Sequence, residues 1–269
     1  VVAGSVTHPF ANPDFALARY NANGSLDKSF DGDGILTTSI GDYAEAQSVA
    51  VQANGKIVVA GYSIGQFSPG VTNVIAIVRY NMDGSLDNSF DADGIVTTIF
   101  GSYSVANSVA IQADDKIVVA GQSNNGFITA RYNAEGSLDN SFDGDGIVTT
   151  VIGVNSLANS VVIQTDGRVV LAGNSDFGGQ LSFAIARYNT DGSLDNSFDA
   201  DGILVTDIGA SSSANSVALQ TDGRIIVAGS SIKGNLATFA VSRYNIDGAP
   251  DINFNNNGVL TTVIGSSSA

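Results

Sequence analysis

Arg79-Tyr80-Asn81-Met82-Asp83-Gly84-Ser85-Leu86-Asp87-Asn88-Ser89-Phe90 is one of five copies of a single pattern in this chain. The Arg-Tyr-Asn tripeptide begins at Arg19, Arg79, Arg131, Arg187 and Arg243, at spacings of 60, 52, 56 and 56 residues. Four copies continue as Gly-Ser-Leu-Asp-x-Ser-Phe. The fifth has drifted to Gly248-Ala249-Pro250-Asp251-Ile252-Asn253-Phe254. A fixed period of this length is the mark of a repeat architecture, and it organises everything else in the sequence.

Outward from this pattern lies a second one. Ser48-Val-Ala-Val-Gln-Ala-Asn-Gly-Lys-Ile-Val-Val-Ala-Gly61 recurs from Ser108, Ser160 and Ser216. Asn54-Gly55 between two β-branched runs is a strong hairpin signal. Four short strands per repeat follow. Strand a is Val49 to Gln52 and strand b Lys56 to Gly61. Strand c is Phe15 to Tyr20 in the first copy, and strand d is Ile35 to Ile40. On strand c, Phe15, Leu17 and Arg19 share one face and Ala16, Ala18 and Tyr20 the other, which suits a sheet covered on both sides. No window carries a helical apolar period.

The expected fold is therefore all-β: a β-propeller of five repeats, each of four short antiparallel strands, spanning 1–269 as a single domain of a longer chain. A linear solenoid, with coils of about 20–30 residues, is the rival. The first repeat lacks its innermost strand, because Val1-Val2-Ala3-Gly4 aligns with Val58-Val59-Ala60-Gly61. The missing piece corresponds to Asn215 through Ile225, and the last residues, Ser266 to Ala269, stop just short of it. Two readings stay open. The chain, which starts at Val1 and not at Met, is a processed product or a piece of a longer protein. Alternatively, another chain donates the strand to an open edge.

The motifs Asp-Gly-Ser-Leu-Asp-x-Ser-Phe and Ser-Val-Ala-x-Gln-x-Asp-Gly-Lys-Ile-x-Val-Ala-Gly resemble the delta-sixty repeats of predicted bacterial β-propellers. The a–b block is similar to the strand pair of NHL-type repeats. The resemblance implies a large secreted or surface-exposed bacterial protein and no enzymatic activity. The fifth repeat departs from it at Ala249-Pro250 and Asn255-Asn256-Asn257.

Two sets of residues are candidates for chemistry. The c–d loops carry Asp31 and Asp33, Asp91 and Asp93, Asp143 and Asp145, and Asp199 and Asp201. Hard oxygen ligands on glycine-containing loops suggest calcium, although the EF-hand spacing fails and no Glu closes the loop. Read plainly, Asp-x-Asp-Gly is turn chemistry. The second set pairs Arg19, Arg79, Arg131, Arg187 and Arg243 with Asp27, Asp87, Asp139, Asp195 and Asp251, both present in all five copies. One guanidinium–carboxylate pair per repeat would tie the long c–d loop to its sheet. Phe30, Phe90, Phe142, Phe198 and Phe254 read as loop anchors in the core. Tyr20, Tyr80, Tyr132, Tyr188 and Tyr244 pack between blades or, in the other reading, stack on sugars.

The 269 residues carry a formal charge of −15 and no Cys, which leaves no disulfide and no thiolate metal site. An acidic surface repels phosphate, so nucleic acid is not an expected partner. No apolar run is long enough to insert in a membrane as a helix. The single histidine, His8, lies outside the repeat, and no nucleophile triad or phosphate loop appears. These features read as a chain that is not an enzyme and has no cofactor beyond calcium. The expected role is an extracellular or cell-surface scaffold or adhesin module that meets a protein partner or self-assembles. The alternative is a multivalent lectin that binds glycans, with calcium assisting. Variable b–c loops at Tyr62–Asn73, Ser175–Ser182 and Ser230–Thr238 are the natural partner surface.

Overall fold

The computed structural model describes residues 1–7, 12–65, 67–124, 126–234 and 236–263. His8 and the residues from Ser266 to Ala269 lie outside them. The fold is all-β, a β-propeller repeat built as five antiparallel sheets, one per repeat.

The first blade holds three strands in the order β1 (Val2–Thr7), β2 (Pro13–Ala18), β3 (Ile35–Thr38). The second is β4 (Tyr43–Val51), β5 (Ile57–Ile64), β6 (Val74–Tyr80) and β7 (Ile95–Thr98). The third is β8 (Ser104–Ile111), β9 (Ile117–Ser123), β10 (Gly126–Tyr132) and β11 (Ile147–Thr150). The fourth is β12 (Ser156–Ile163), β13 (Val169–Asp176), β14 (Leu181–Tyr188) and β15 (Ile203–Thr206). The fifth is β16 (Ser211–Leu219), β17 (Ile225–Lys233), β18 (Leu236–Tyr244) and β19 (Val259–Val263). No helix among the described residues is long and apolar enough to cross a membrane.

Strand a is longer than its sequence suggests. It begins at Tyr43, and a register shift between Ala46 and Ser48 bends it. The shift recurs at Ala106/Ser108, Ala158/Ser160 and Ala214/Ser216. This explains the invariant end of the Val-Ala-Gly run. A Cβ on Gly61 would sit 1.9 Å from the Glu45 carbonyl oxygen, and Gly121, Gly173 and Gly229 are crowded in the same way. Only glycine lets the bulged strand approach this closely. Gly4, in the blade without strand a, meets nothing within 4 Å.

Of the three expected long loops, Ser175–Ser182 is half strand and Ser230–Thr238 is mostly strand. β13 and β14 stay paired out to Asp176 and Leu181, and β17 and β18 out to Lys233 and Leu236. Ser175, Ser182, Ser231 and Thr238 there are buried and hydrogen-bonded, in extended hairpins that composition alone does not distinguish from a loop. Residues 67–73 form a true loop. It is held by a Thr72 N–H to Ser102 carbonyl bond and a Ser104 N–H to Asn73 carbonyl bond.

The chain divides into two compact units, Val1–Asn124 with Ala130–Asp139, and Asn125–Thr129 with Asn140–Ala269. In the first, Phe15, Leu17 and Phe30 of the first blade bury against Ala44, Ile57 and Val59 of the second. In the second, Phe183, Ile185 and Phe198 bury against Ala214, Val217 and Val227. The bulky face of strand c thus packs on the small-residue face of the next blade, and the blade becomes a sheet with no solvated side. Every residue of β6 and β10 is buried.

Candidate functional site

The repeated Arg and Asp meet. Arg79 projects from β6, and the chain then turns through Asn81-Met82-Asp83-Gly84, so that Asp87 returns beside it. Arg79 Nε donates to Asp87 Oδ2 at 2.5 Å, and both side chains are buried. The other four pairs lie at 2.6 to 2.8 Å. The Arg19, Arg79 and Arg187 guanidinium groups do three further things. Arg79 Nη2 donates to Ser89 Oγ at 3.1 Å. Arg79 Nη1 donates to the Ala134 carbonyl of the next blade, as Arg187 does to Ile246 and Arg19 to Met82. The plane of Arg79 lies 4.6 Å from the centre of the Phe90 ring, a cation–π stack.

A second cation joins four of the five pairs. Lys56 Nζ lies 2.7 Å from Asp87 Oδ2, Lys116 Nζ 3.1 Å from Asp139, Arg168 Nε 3.0 Å from Asp195 and Arg224 Nε 3.2 Å from Asp251. Sequence reasoning missed these residues. Their signal was present, since each follows the Gly or Asp of the a–b turn. Ser89 Oγ also donates to Asp87 Oδ1 at 2.7 Å. Burial works to raise the pKa of Asp87, but Lys56, Ser89 and Arg79 outweigh it and hold the carboxyl well below the usual range. Asp195 is lowered by the same balance. A carboxylate with its lone pairs taken by Arg, Lys and Ser has none left for a ligand.

The Asp-x-Asp-Gly acids have other duties. Asp31, Asp91, Asp143 and Asp199 hold left-handed backbone, φ 47° to 52°. Their N–H groups bond the next repeat, Asp31 to the Asp83 carbonyl and Asp199 to that of Asp247, both at 2.8 Å. Asp33, Asp93, Asp145 and Asp201 each accept from the N–H two residues on, as Asp33 Oδ1 does from Ile35 at 2.8 Å. All eight residues are exposed. Asp199 is raised by burial and by the neighbouring Asp201 and Asp247 charges. Among the described residues no three His, Asp or Glu converge on one point where a metal could sit.

Four repeated tyrosines are fully buried. Tyr80, Tyr132, Tyr188 and Tyr244 each meet the strand d threonine of the preceding blade, Thr38, Thr98, Thr150 and Thr206, at 2.7 Å. Burial pushes the Tyr80 hydroxyl up to about 12. These four offer no ring face to a sugar. Two of the clefts beside the blades include ion-paired groups on their walls. One of about 310 Å³ in the first unit has Gln52, Lys56, Arg79, Asp115 and Glu135 on its walls.

One surface group does not repeat. On β4 and β5, Tyr43 and Tyr62 stack with ring centroids 6.0 Å apart, and both hydroxyls donate to Glu45, at 3.0 and 2.5 Å. Burial and these neighbours push the Tyr62 hydroxyl well above its ordinary value.

Three solved structures are similar to the chain. A gluconolactonase from Xanthomonas campestris is 13% identical with a TM-score of 0.41, over 98% of this chain and 85% of that one. A structure described as NanB plus Optactamide is 11% identical with a TM-score of 0.44, over 86% of this chain and 33% of that one. Drosophila Plexin A in complex with Semaphorin 1b is 10% identical with a TM-score of 0.41, over 91% and 52%. At such identities these likenesses give this chain no activity. They do correct one expectation from the sequence. Similar proteins include a gluconolactonase, so the exclusion of enzymatic function does not stand. No curated protein matches the chain. A family described as a domain of unknown function (DUF5122) beta-propeller matches residues 1–30, 52–90, 112–142, 164–198 and 220–254, once per repeat, and the chain belongs to that β-propeller family.

Proposed function

We propose that the chain is an interaction scaffold, a repeat module of a secreted or surface-exposed bacterial protein of the delta-sixty kind, whose partner is another protein. The carrying observation is the division of labour among its side chains. The repeated Arg, Asp, Ser, Phe and most of the repeated Tyr are consumed inside and between blades. Unrepeated as a group, and only half-buried, are Tyr43, Tyr62 and Glu45, with the exposed turn at 68–70 nearby. Aromatic rings with a polar handle beside a carboxylate are the ordinary anchors of a protein interface. An acidic chain favours a basic partner surface.

The test is binding of the purified chain to bacterial envelope preparations, before and after periodate oxidation of their sugars. A protein partner predicts binding that survives periodate and is lost in Tyr62→Ala. Binding abolished by periodate would mean a glycan ligand and would sink the proposal.

A further inference from the structure

The turn after strand c clamps a hydroxyl in four of the five copies. Ser25, Ser85, Ser137 and Ser193 each place Oγ between two side chains of their own turn. That oxygen accepts from the amide of Asn21, Asn81, Asn133 or Asn189 at 3.0 to 3.1 Å. It donates to Asn23, Asp83, Glu135 or Asp191 at 2.6 to 2.7 Å. The same Asn amide also donates to the carbonyl of the following Leu, at 3.2 to 3.3 Å.

The fifth copy keeps the turn and drops the hydroxyl. Asn245 N–H bonds the Ala249 carbonyl at 2.8 Å and Gly248 N–H bonds the Asn245 carbonyl at 3.0 Å, as Asn189 and Gly192 do one blade earlier at 2.8 and 3.1 Å. Ala249 stands where the serines stand. Among the described residues the Asn245 side-chain amide makes no hydrogen bond, and the Asp247 carboxylate keeps one, accepted by Oδ1 from the Ala249 N–H.

Both released side chains line a cleft of about 480 Å³ between the fourth and fifth blades, inside the second unit, with Arg187, Arg224 and Ile246. The corresponding cleft in the first unit has Ala134 and Glu135 on its wall but not Asn133, whose amide is committed to Ser137. The cations of the fifth-blade cleft are already paired, Arg187 with Asp195 and Arg224 with Asp222 and Asp251. An anion therefore finds no unpaired charge there. What stays available is a neutral set of donors and acceptors: the Asn245 amide, Asp247 Oδ2 and Arg224 Nη2. Ile246, 56% exposed, adds an apolar wall held close over Gly223, where a Cβ would meet its Cδ1 at 3.1 Å.

We propose that this cleft binds a neutral polyhydroxylated ring, a pyranose, with one ring hydroxyl in the place that a serine hydroxyl takes in the other four turns. That hydroxyl accepts from Asn245 Nδ2 and donates to Asp247. A neighbouring hydroxyl accepts from Arg224 Nη2, and the C–H face of the ring rests on Ile246. An amide and a carboxylate sharing one oxygen select a group that accepts and donates at once, which a hydroxyl does and an ion does not. The cleft is of the size that small ligands occupy. The site goes beyond the scaffold reading, since it belongs to the second unit and Tyr43 and Tyr62 to the first.

The test is titration of the isotope-labelled chain with methyl glucoside, methyl mannoside and methyl galactoside, each to high millimolar concentration, read at the Asn245 side-chain amide by NMR. At least one should shift that signal saturably. Ala249→Ser restores the residue that the other four turns carry, so it should fold as well and weaken the binding about tenfold or more. Tyr62→Ala should leave it unchanged. No saturable shift with any of the three sugars, or equal binding by Ala249→Ser, overturns the proposal. One weak ring site does not hold a chain on an envelope, so the envelope experiment and this titration succeed or fail independently.

Discussion

Asp87 concentrates the stability of its blade in one carboxylate. It accepts from Arg79, Lys56 and Ser89, while the guanidinium it fixes also stacks on Phe90 and reaches the next blade. Removing one partner of a buried pair strands the other, a cost of about 3 kcal/mol. Asp87→Ala should therefore lower Tm by several degrees in thermal melts, and an unchanged Tm would show that the pair is incidental. Asp27→Ala, in a more exposed pair with a single cation, should cost less. The same residue sets an acid limit. The folded pKa of Asp87 is depressed below the unfolded value of about 4. Its contribution is thus complete above that value and lost as pH falls through the folded pKa. Urea midpoints should hold steady from neutral pH to about pH 5 and fall steeply below about pH 4. A flat profile to strong acid would remove the carboxylates from the account. The recurrence of Arg and Asp in all five copies made this pairing legible before any coordinates. The repeated place of Lys56 after the a–b turn was also visible, but its partner and that of Thr38 were not, because these are chosen by how a hairpin folds back and how blades dock.

At the scale of the strand pair, the bulge opposite Gly61 is the least negotiable feature. A Cβ at Gly121 would stand 2.0 Å from the Val105 carbonyl oxygen, which is backbone and has no rotamer to change. Gly121→Ala should force the β8–β9 ladder apart and destabilise by more than about 2 kcal/mol. Gly4→Ala, with open space around it, should be neutral in the same denaturant titration. Equal effects at both sites would mean that strand a does not bulge. The four-strand plan was readable from turn residues and β-branched runs, but the bulge was not, since its evidence is a glycine whose need appears only when the neighbouring strand is in place. The polar hairpin arms at Asp176 and Ser231 were read as loops for a related reason: pairing, not composition, makes them strands. The c–d loops carry a further test. Their acids are engaged in their own turns and stand apart from one another. Millimolar calcium added after chelation should leave Tm unchanged; a rise of several degrees would show that the folded state binds the ion.

Over the whole molecule, stability in a repeat chain is close to a sum of blade terms and junction terms. A blade flanked on both sides gains two junctions, and the first and fifth gain one each within their units. The burial of strand c records this. β6 and β10 have every residue buried, whereas β2 is half covered and β18 alternates between buried and exposed positions. Local opening draws on the weakest contacts, so amide exchange should rank the blades. At high dilution, the amides of β2 and β18 should exchange well before those of β6 and β14, although the ladder hydrogen bonds are alike. The periodicity of the sequence cannot supply this ranking, because it writes Phe183 and Phe239 identically and only the presence of a following blade separates them. Uniform protection of all five c strands at high dilution would mean that both faces are already covered within one chain.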